Sequence, residues 1–211
     1  MNIIEKMLTG QLEMSEFIVL LKDNREIQNA IKTLVPKDAV DNKENSLWKK
    51  LSFDTLKRYN FNLLALLSQM CRFDNSIPDN LNIFATIRRV YCFSCPDLVC
   101  TKKYEEMFGL YLDAIRDCFD GPEVRSLVYE IIEKAFLMDT KKKRLEQAKE
   151  DIKKYFHIVD ARRPRWINGP EWPMGDQSPM CFISQKHCKE SVQYHFKDID
   201  KGTTRIIEQY Y

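Results

Sequence analysis

Glycine is scarce in this chain. There are six in 211 residues, and none stands in G-x-G or Walker spacing. A loop that cradles phosphate needs glycines at fixed offsets so that the backbone can approach the anion, and nucleotide-dependent chemistry is therefore disfavoured. Histidine is scarcer still, at three. No G-x-S-x-G elbow accompanies it, which argues against a hydrolase built on a serine and its base. His187 and Cys188 are adjacent, but neighbours in a strand or loop point apart and seldom pair as base and nucleophile.

An excess of either charge is missing as well. The chain holds 33 basic and 31 acidic side chains, and residues 1–150 hold 23 of each. A nucleic-acid-binding domain normally shows a lopsided balance or a basic stripe. The densest basic runs, KKKR (141–144) and RRPR (162–165), have acidic neighbours, and the first reads as a solvated helix face. Long apolar runs are also absent. The longest uncharged stretch, YNFNLLALLSQMC (59–71), is too short and too polar to cross a bilayer. Glu5, Lys6 and Glu13 interrupt any apolar leader near the start. The seven cysteines are odd in number and sit mostly inside helical patterns, which fits a reducing compartment better than a disulfide scaffold. The expectation is a soluble, cytoplasmic chain that engages no membrane.

What is present over residues 1–160 is helical periodicity, with only four prolines and three glycines to interrupt it. Helices are predicted over 16–23 (capped by Ser15), 25–35 (capped by Asp23 or Asn24), 46–51, 60–73, 79–93, 102–119 (capped by Thr101), 123–138 and 141–158 (capped by Asp139 or Thr140). Ser52 reads as a further cap, followed by a turn or two. The segment 60–73 is apolar on most sides and is the best candidate for a central helix. The break DGPE (120–123) places a proline where helices often begin.

After Asp160 the character changes. The stretch RRPRWINGPEWPMGDQSPM (162–180) holds Pro164, Pro170, Pro173 and Pro179, which fix φ and withhold N–H donors. It suits an extended strap. Strands follow over 180–186, 191–197 and 203–211. In the second, Val192, Tyr194 and Phe196 alternate with Gln193 and His195. Three strands cannot make a two-sided core alone, so their apolar face must lie on helices or on a partner. The fold class expected is α+β, mainly α: a multi-helix N-terminal bundle over 1–160, then strap and three-stranded antiparallel sheet over 161–211, packed on the helices as one unit.

Few residues stand out as candidate sites. CFSCPDLVC (92–100) has Cys92 and Cys95 in CxxC spacing, with Cys100 as a third thiol. A closed zinc site needs four ligands and no second CxxC exists, so a zinc- or cysteine-dependent enzyme is a minor alternative. Trp166 and Trp172 fit either a binding surface or a bridge between sheet and helices. The loop acids Asp74, Asp79, Asp97 and Asp120 could form part of an acidic patch facing a basic partner. A helical scaffold or adaptor binding RNA or a host protein is a further alternative, carried by KKKR and RRPR alone. Oligomeric state stays open.

Two stretches carry a resemblance. The N-terminal run MNIIEKMLTGQLEMSEFIVLLKDNREIQNAIKTLVPKDA (1–39) reads as a module of alternating helices. The tail RPRWINGPEWPM (163–174), with MCFISQK (180–186), YHFKD (194–198) and EQYY (208–211), resembles the tail of small bacterial proteins encoded beside polymorphic toxins. The chain thus resembles the immunity proteins of polymorphic-toxin and contact-dependent growth inhibition systems. That resemblance implies a non-enzymatic inhibitor without cofactor that binds one cognate toxin C-terminal domain, such as a nuclease, in the cytoplasm. It supplies no catalytic motif, so no site residue is carried over from it.

Overall fold

The computed structural model describes residues 1–34, 63–64, 67, 77–116, 118–158 and 162–211. Among them are seven helices: α1 (Ile3–Thr9), α2 (Met14–Asp23), α3 (Arg25–Thr33), α4 (Ile77–Ser94), α5 (Lys103–Ala114), α6 (Arg125–Phe136) and α7 (Lys141–Tyr155). Three strands follow, β1 (Cys181–His187), β2 (Ser191–Lys197) and β3 (Thr204–Tyr210), in one antiparallel sheet of order β1-β2-β3. The fold is α+β and mainly α, as the periodicity indicates. The predicted helix 46–51, the Ser52 cap and Asp74 lie outside the described residues. Of the segment 60–73, Leu63, Leu64 and Leu67 are helical, and Leu63 and Leu67 are buried. Among the described residues no helix is long and apolar enough to cross a membrane.

The chain divides into two compact units, Met1–Glu105 and Glu106–Tyr211. The change of period at residue 161 falls inside the second. In the first unit, α1 opens with a capping box. The Asn2 side chain accepts the Glu5 N–H, and the Glu5 carboxylate accepts the Asn2 N–H, both at 2.9 Å. The Tyr91 hydroxyl of α4 donates to Glu5 at 2.7 Å and accepts from the Asn2 amide at 2.9 Å. Gly10 ends α1 at φ 81°, in the left-handed region where a Cβ is costly. Ser15 proves to lie inside α2 rather than at its cap. The helix starts at Met14 because the Met14 N–H finds the Tyr104 hydroxyl at 2.9 Å. Asn24 caps α3 as expected, accepting from the N–H groups of Glu26 and Ile27.

In the second unit, α6 buries Val128, Ile131, Ile132 and Ala135, and α7 buries Ala148 and Ile152. Thr140 caps α7, accepting the Lys143 N–H at 3.3 Å. Asp151, also buried, is satisfied by Lys134 at 2.9 Å and by the Gln147 amide at 3.1 Å. Two predicted boundaries shift. The 102–119 helix stops at Ala114, where the N–H groups of Ile115 and Arg116 share the Tyr111 carbonyl. The 123–138 helix starts at Arg125, after a turn that holds Pro122. Stopping early lets Phe119 turn into the aromatic core.

That core is organised by Trp172, which is 1% exposed. Its ring lies 5.4 Å from Phe119, and edge-on to Phe156 at 5.0 Å and Phe196 at 5.3 Å between centroids. Its indole N–H donates to the Met180 carbonyl at 2.8 Å, and its backbone N–H to the Asp120 carbonyl at 3.1 Å. Gly121 makes that approach possible. A Cβ there would stand 2.7 Å from the Trp172 nitrogen. Val192, Tyr194 and Phe196 are fully buried and His195 half-buried, as their alternation requires. A bulge between Phe182 and Ser184 on β1 leaves Ile183 exposed.

The hairpin β2–β3 turns on Asp198. Its carboxylate accepts the N–H groups of Lys201 (3.1 Å), Asp176 (3.0 Å) and Asp200 (2.9 Å), joining the turn to the strap. The Lys201 N–H is the largest of the influences that hold this carboxyl below its usual value of 3.8. The contribution is present above that unfolded value and is lost as pH falls through the lower folded one. Acidification below about pH 4 should therefore destabilise the wild type more steeply than Asp198→Asn, measured by urea unfolding across pH 2–6. Trp172→Ala should cost about 3–5 kcal/mol in the same measurement at neutral pH, as for other large buried aromatics.

Candidate functional site

An open groove of about 730 Å3 lies in the second unit. Three stretches of chain line it. The end of α5 and the turn after it give Tyr111, Arg116, Asp120 and Gly121; the turn into α6 and its first residue give Pro122 and Arg125; the strap gives Trp166, Gly169, Pro170 and Glu171. Asp120 is fixed from two sides. Its carboxylate accepts the Tyr111 hydroxyl through Oδ2 and the Gly121 N–H through Oδ1 at 2.7 Å. Trp166 is half-buried. Its indole N–H donates to the Cys118 carbonyl at 3.0 Å, and its ring lies 4.5 Å from Tyr194.

Gln209, buried on β3, holds the strap's position. Its side-chain oxygen accepts the N–H groups of Ile167 and Asn168, and its amide donates to the Gly169 carbonyl and to Glu171. The Tyr194 hydroxyl donates to the Arg165 carbonyl at 2.8 Å and accepts the Ile167 N–H at 3.1 Å. Below the groove, Arg205 of β3 forks onto Glu123 at 2.6 and 2.8 Å, and Glu123 also accepts the Met174 N–H at 2.9 Å. That guanidinium holds the Glu123 carboxyl below the usual range.

The groove therefore offers two guanidiniums, two carboxylates, a tyrosine hydroxyl and an indole face. Burial first, then the hydrogen bond and charge of Asp120, push the Tyr111 hydroxyl far above its usual value of 10, against the opposing charges of Arg116 and Arg125. Tyr111 is thus a neutral donor at every physiological pH. Of the six residues singled out from sequence, Asp120 and Trp166 meet here. Asp79 is half-buried in the first turn of α4 and Asp97 is exposed beyond its end, both in the first unit. Trp172 is buried, which leaves it no face for a partner. Sequence reasoning passed over Tyr111, Arg116, Arg125 and Glu171. The one local signal was the DGP break, flanked on both sides by arginine.

The other candidates are placed as follows. Each cation of KKKR has an acidic partner: Lys141 with Asp113 (3.4 Å), Lys142 with Glu146 (3.9 Å), Lys143 with Asp139 (3.0 Å) and Arg144 with Glu106 (2.9 Å). Arg144 also stacks on the Phe136 ring at 3.9 Å. Cys92 and Cys100 are half-buried and Cys95 is exposed. Among the described residues, no group of three or more His, Cys, Asp and Glu side chains converges as a metal ion would need. A smaller cavity of about 250 Å3 lies beside Phe156, Trp172 and Phe182, with His157, Arg162 and Cys181 on its wall. Burial raises the Cys181 thiol, and His157 pairs with the Ser178 hydroxyl at 3.0 Å.

Comparison of the chain with protein-family models, with curated proteins and with solved structures gave no match.

Removing the Tyr111 hydroxyl should destabilise the fold by about 1–2 kcal/mol at pH 7, because the part-buried Asp120 carboxylate loses a donor. The stability tied to the raised tyrosine is complete below the unfolded value of 10 and is lost as pH rises toward the folded one. The gap between wild type and Tyr111→Phe in urea unfolding should accordingly narrow above pH 10.

Proposed function

We propose that this chain is an immunity protein, which binds a cognate toxin domain and blocks that domain's active site or substrate face through the groove at Asp120 and Trp166. The observation that carries the reading is the groove's composition. Trp166, Tyr111, Arg116 and Arg125 line one depression, and tryptophan, tyrosine and arginine are the residue types that dominate binding hot spots. Trp166 presents part of a rigid ring whose N–H is already satisfied, so its burial by a partner strands no polar atom. The carboxylates of Asp120 and Glu171 beside the arginines favour a partner surface of mixed charge, which sets register and speeds encounter. The resemblance of the tail to immunity proteins supplies the partner class. The role is stoichiometric and cytoplasmic and uses neither cofactor nor catalysis.

The test takes the toxin C-terminal domain encoded by the neighbouring gene. Wild-type chain should co-purify with it and protect cells expressing it. Trp166→Ala combined with Arg125→Ala should weaken binding at least about 100-fold, the loss of roughly two hot-spot side chains. Circular dichroism checks that the variant is folded. Protection by the folded double variant at wild-type level would remove the groove from the interface. Absence of both binding and protection by the wild type would end the reading altogether.

A further inference from the structure

The cysteines around the end of α4 play no part in the groove. Cys92 lies in the last turn of α4, and Cys100 in the irregular stretch before α5. Their sulfurs are 3.6 Å apart, across a separation of eight residues. The chain between them turns back through the Leu98 N–H, which donates to the Cys95 carbonyl at 3.3 Å. Beyond Cys100, the Thr101 N–H donates to the Leu8 carbonyl at 2.8 Å, and Thr101 packs beside Gly10 at the end of α1. Both thiols are thus held at one corner of the first unit. The approach still needed is about 1.5 Å, from van der Waals contact to a disulfide bond of about 2.05 Å.

We propose that Cys92 and Cys100 form an oxidisable dithiol, a modification site that closes to an intramolecular disulfide on exposure to hydrogen peroxide. Burial, and then the hydrogen bond with Cys92, push the Cys100 thiol up to about 11, so its proton stays in place at neutral pH. The first attack therefore falls to Cys92. Its sulfur takes one oxygen of the peroxide, the O–O bond breaks, and the other oxygen leaves as water. The Cys100 sulfur then attacks the sulfenic sulfur. The S–O bond breaks, and the hydroxyl leaves with the Cys100 proton as a second water. Two thiols lose two electrons and two protons, and one peroxide becomes two waters. Cys95 is exposed one turn beyond Cys92 and is the competing partner by spacing, but the sulfur contact goes to Cys100. The new bond fastens the end of α4 to the stretch that holds α1.

The test treats the folded full-length chain with hydrogen peroxide, alkylates the remaining thiols and digests with trypsin. The peptide of residues 90–102 carries all three cysteines. It should be found two hydrogens lighter and alkylated on Cys95 alone. The oxidised chain should melt about 5 °C or more above the reduced one, and reduction should reverse this. Cys95→Ser should keep the bridge, whereas Cys92→Ser and Cys100→Ser should each lose it. Cys92 and Cys100 both still alkylated in the wild-type peptide, at a peroxide dose that closes the disulfide of a reference dithiol peptide, would overturn the proposal. So would loss of the bridge in Cys95→Ser. Assignment of the alkylated residue in the wild type decides the pairing even where a serine variant fails to fold.

Discussion

Trp172 is gripped on all sides, and much of the second unit is arranged to make that possible. Phe119, Phe156 and Phe196 reach it from the turn after α5, the end of α7 and the end of β2. A single large ring thereby joins three segments with no local reason to meet. Its two N–H groups are the constraint on everything nearby, since an unsatisfied donor at this depth costs as much as a lost hydrogen bond. One fixes the strap against the turn that holds Gly121; the other fixes it against the residue that leads into β1. The four prolines fit this arrangement because the strap bonds through side chains and isolated contacts rather than through a ladder.

The groove is a by-product of the same clamp. Asp120 offers its backbone carbonyl to Trp172 and its carboxylate to Tyr111 and Gly121. One residue thus serves the core with its main chain and the surface with its side chain. Glu123 and Arg205 act a few residues on, tying the turn before α6 to β3 while a strap N–H shares the carboxylate. A surface held this firmly is already shaped, which would limit the ordering entropy of any association through it.

Element types were legible because they rest on local periodicity. The alternation of Val192, Tyr194 and Phe196 could only be a one-sided strand, and the DGP break could only end a helix. Boundaries were less so. Ser15 had the chemistry of a cap, but Tyr104, ninety residues away, took over the first N–H of α2. The 102–119 pattern persisted past Ala114 because Ile115 and Phe119 are apolar in either conformation, and only the pull of the aromatic cluster chose the turn. The groove was half visible. Asp120 and Trp166 stood out by residue type and by their place in irregular chain. Arg116, Arg125 and Tyr111 all fall within helical periodicity in the sequence, and only tertiary structure brings their segments together. Trp172 showed the reverse: its type fitted a surface as well as a core, and burial decided it.

Gln209 has a consequence in time as well as in space. It is the residue to which the strap's Ile167, Asn168 and Gly169 are tied, yet it is synthesised some forty residues after them. A nascent chain that has already made its helices must leave residues 167–169 without their Gln209 bonds until β3 emerges. The far wall of the groove is then among the last features to settle during translation, and the interval before that is one in which the prolines, by stiffness alone, keep the strap from collapsing into helix.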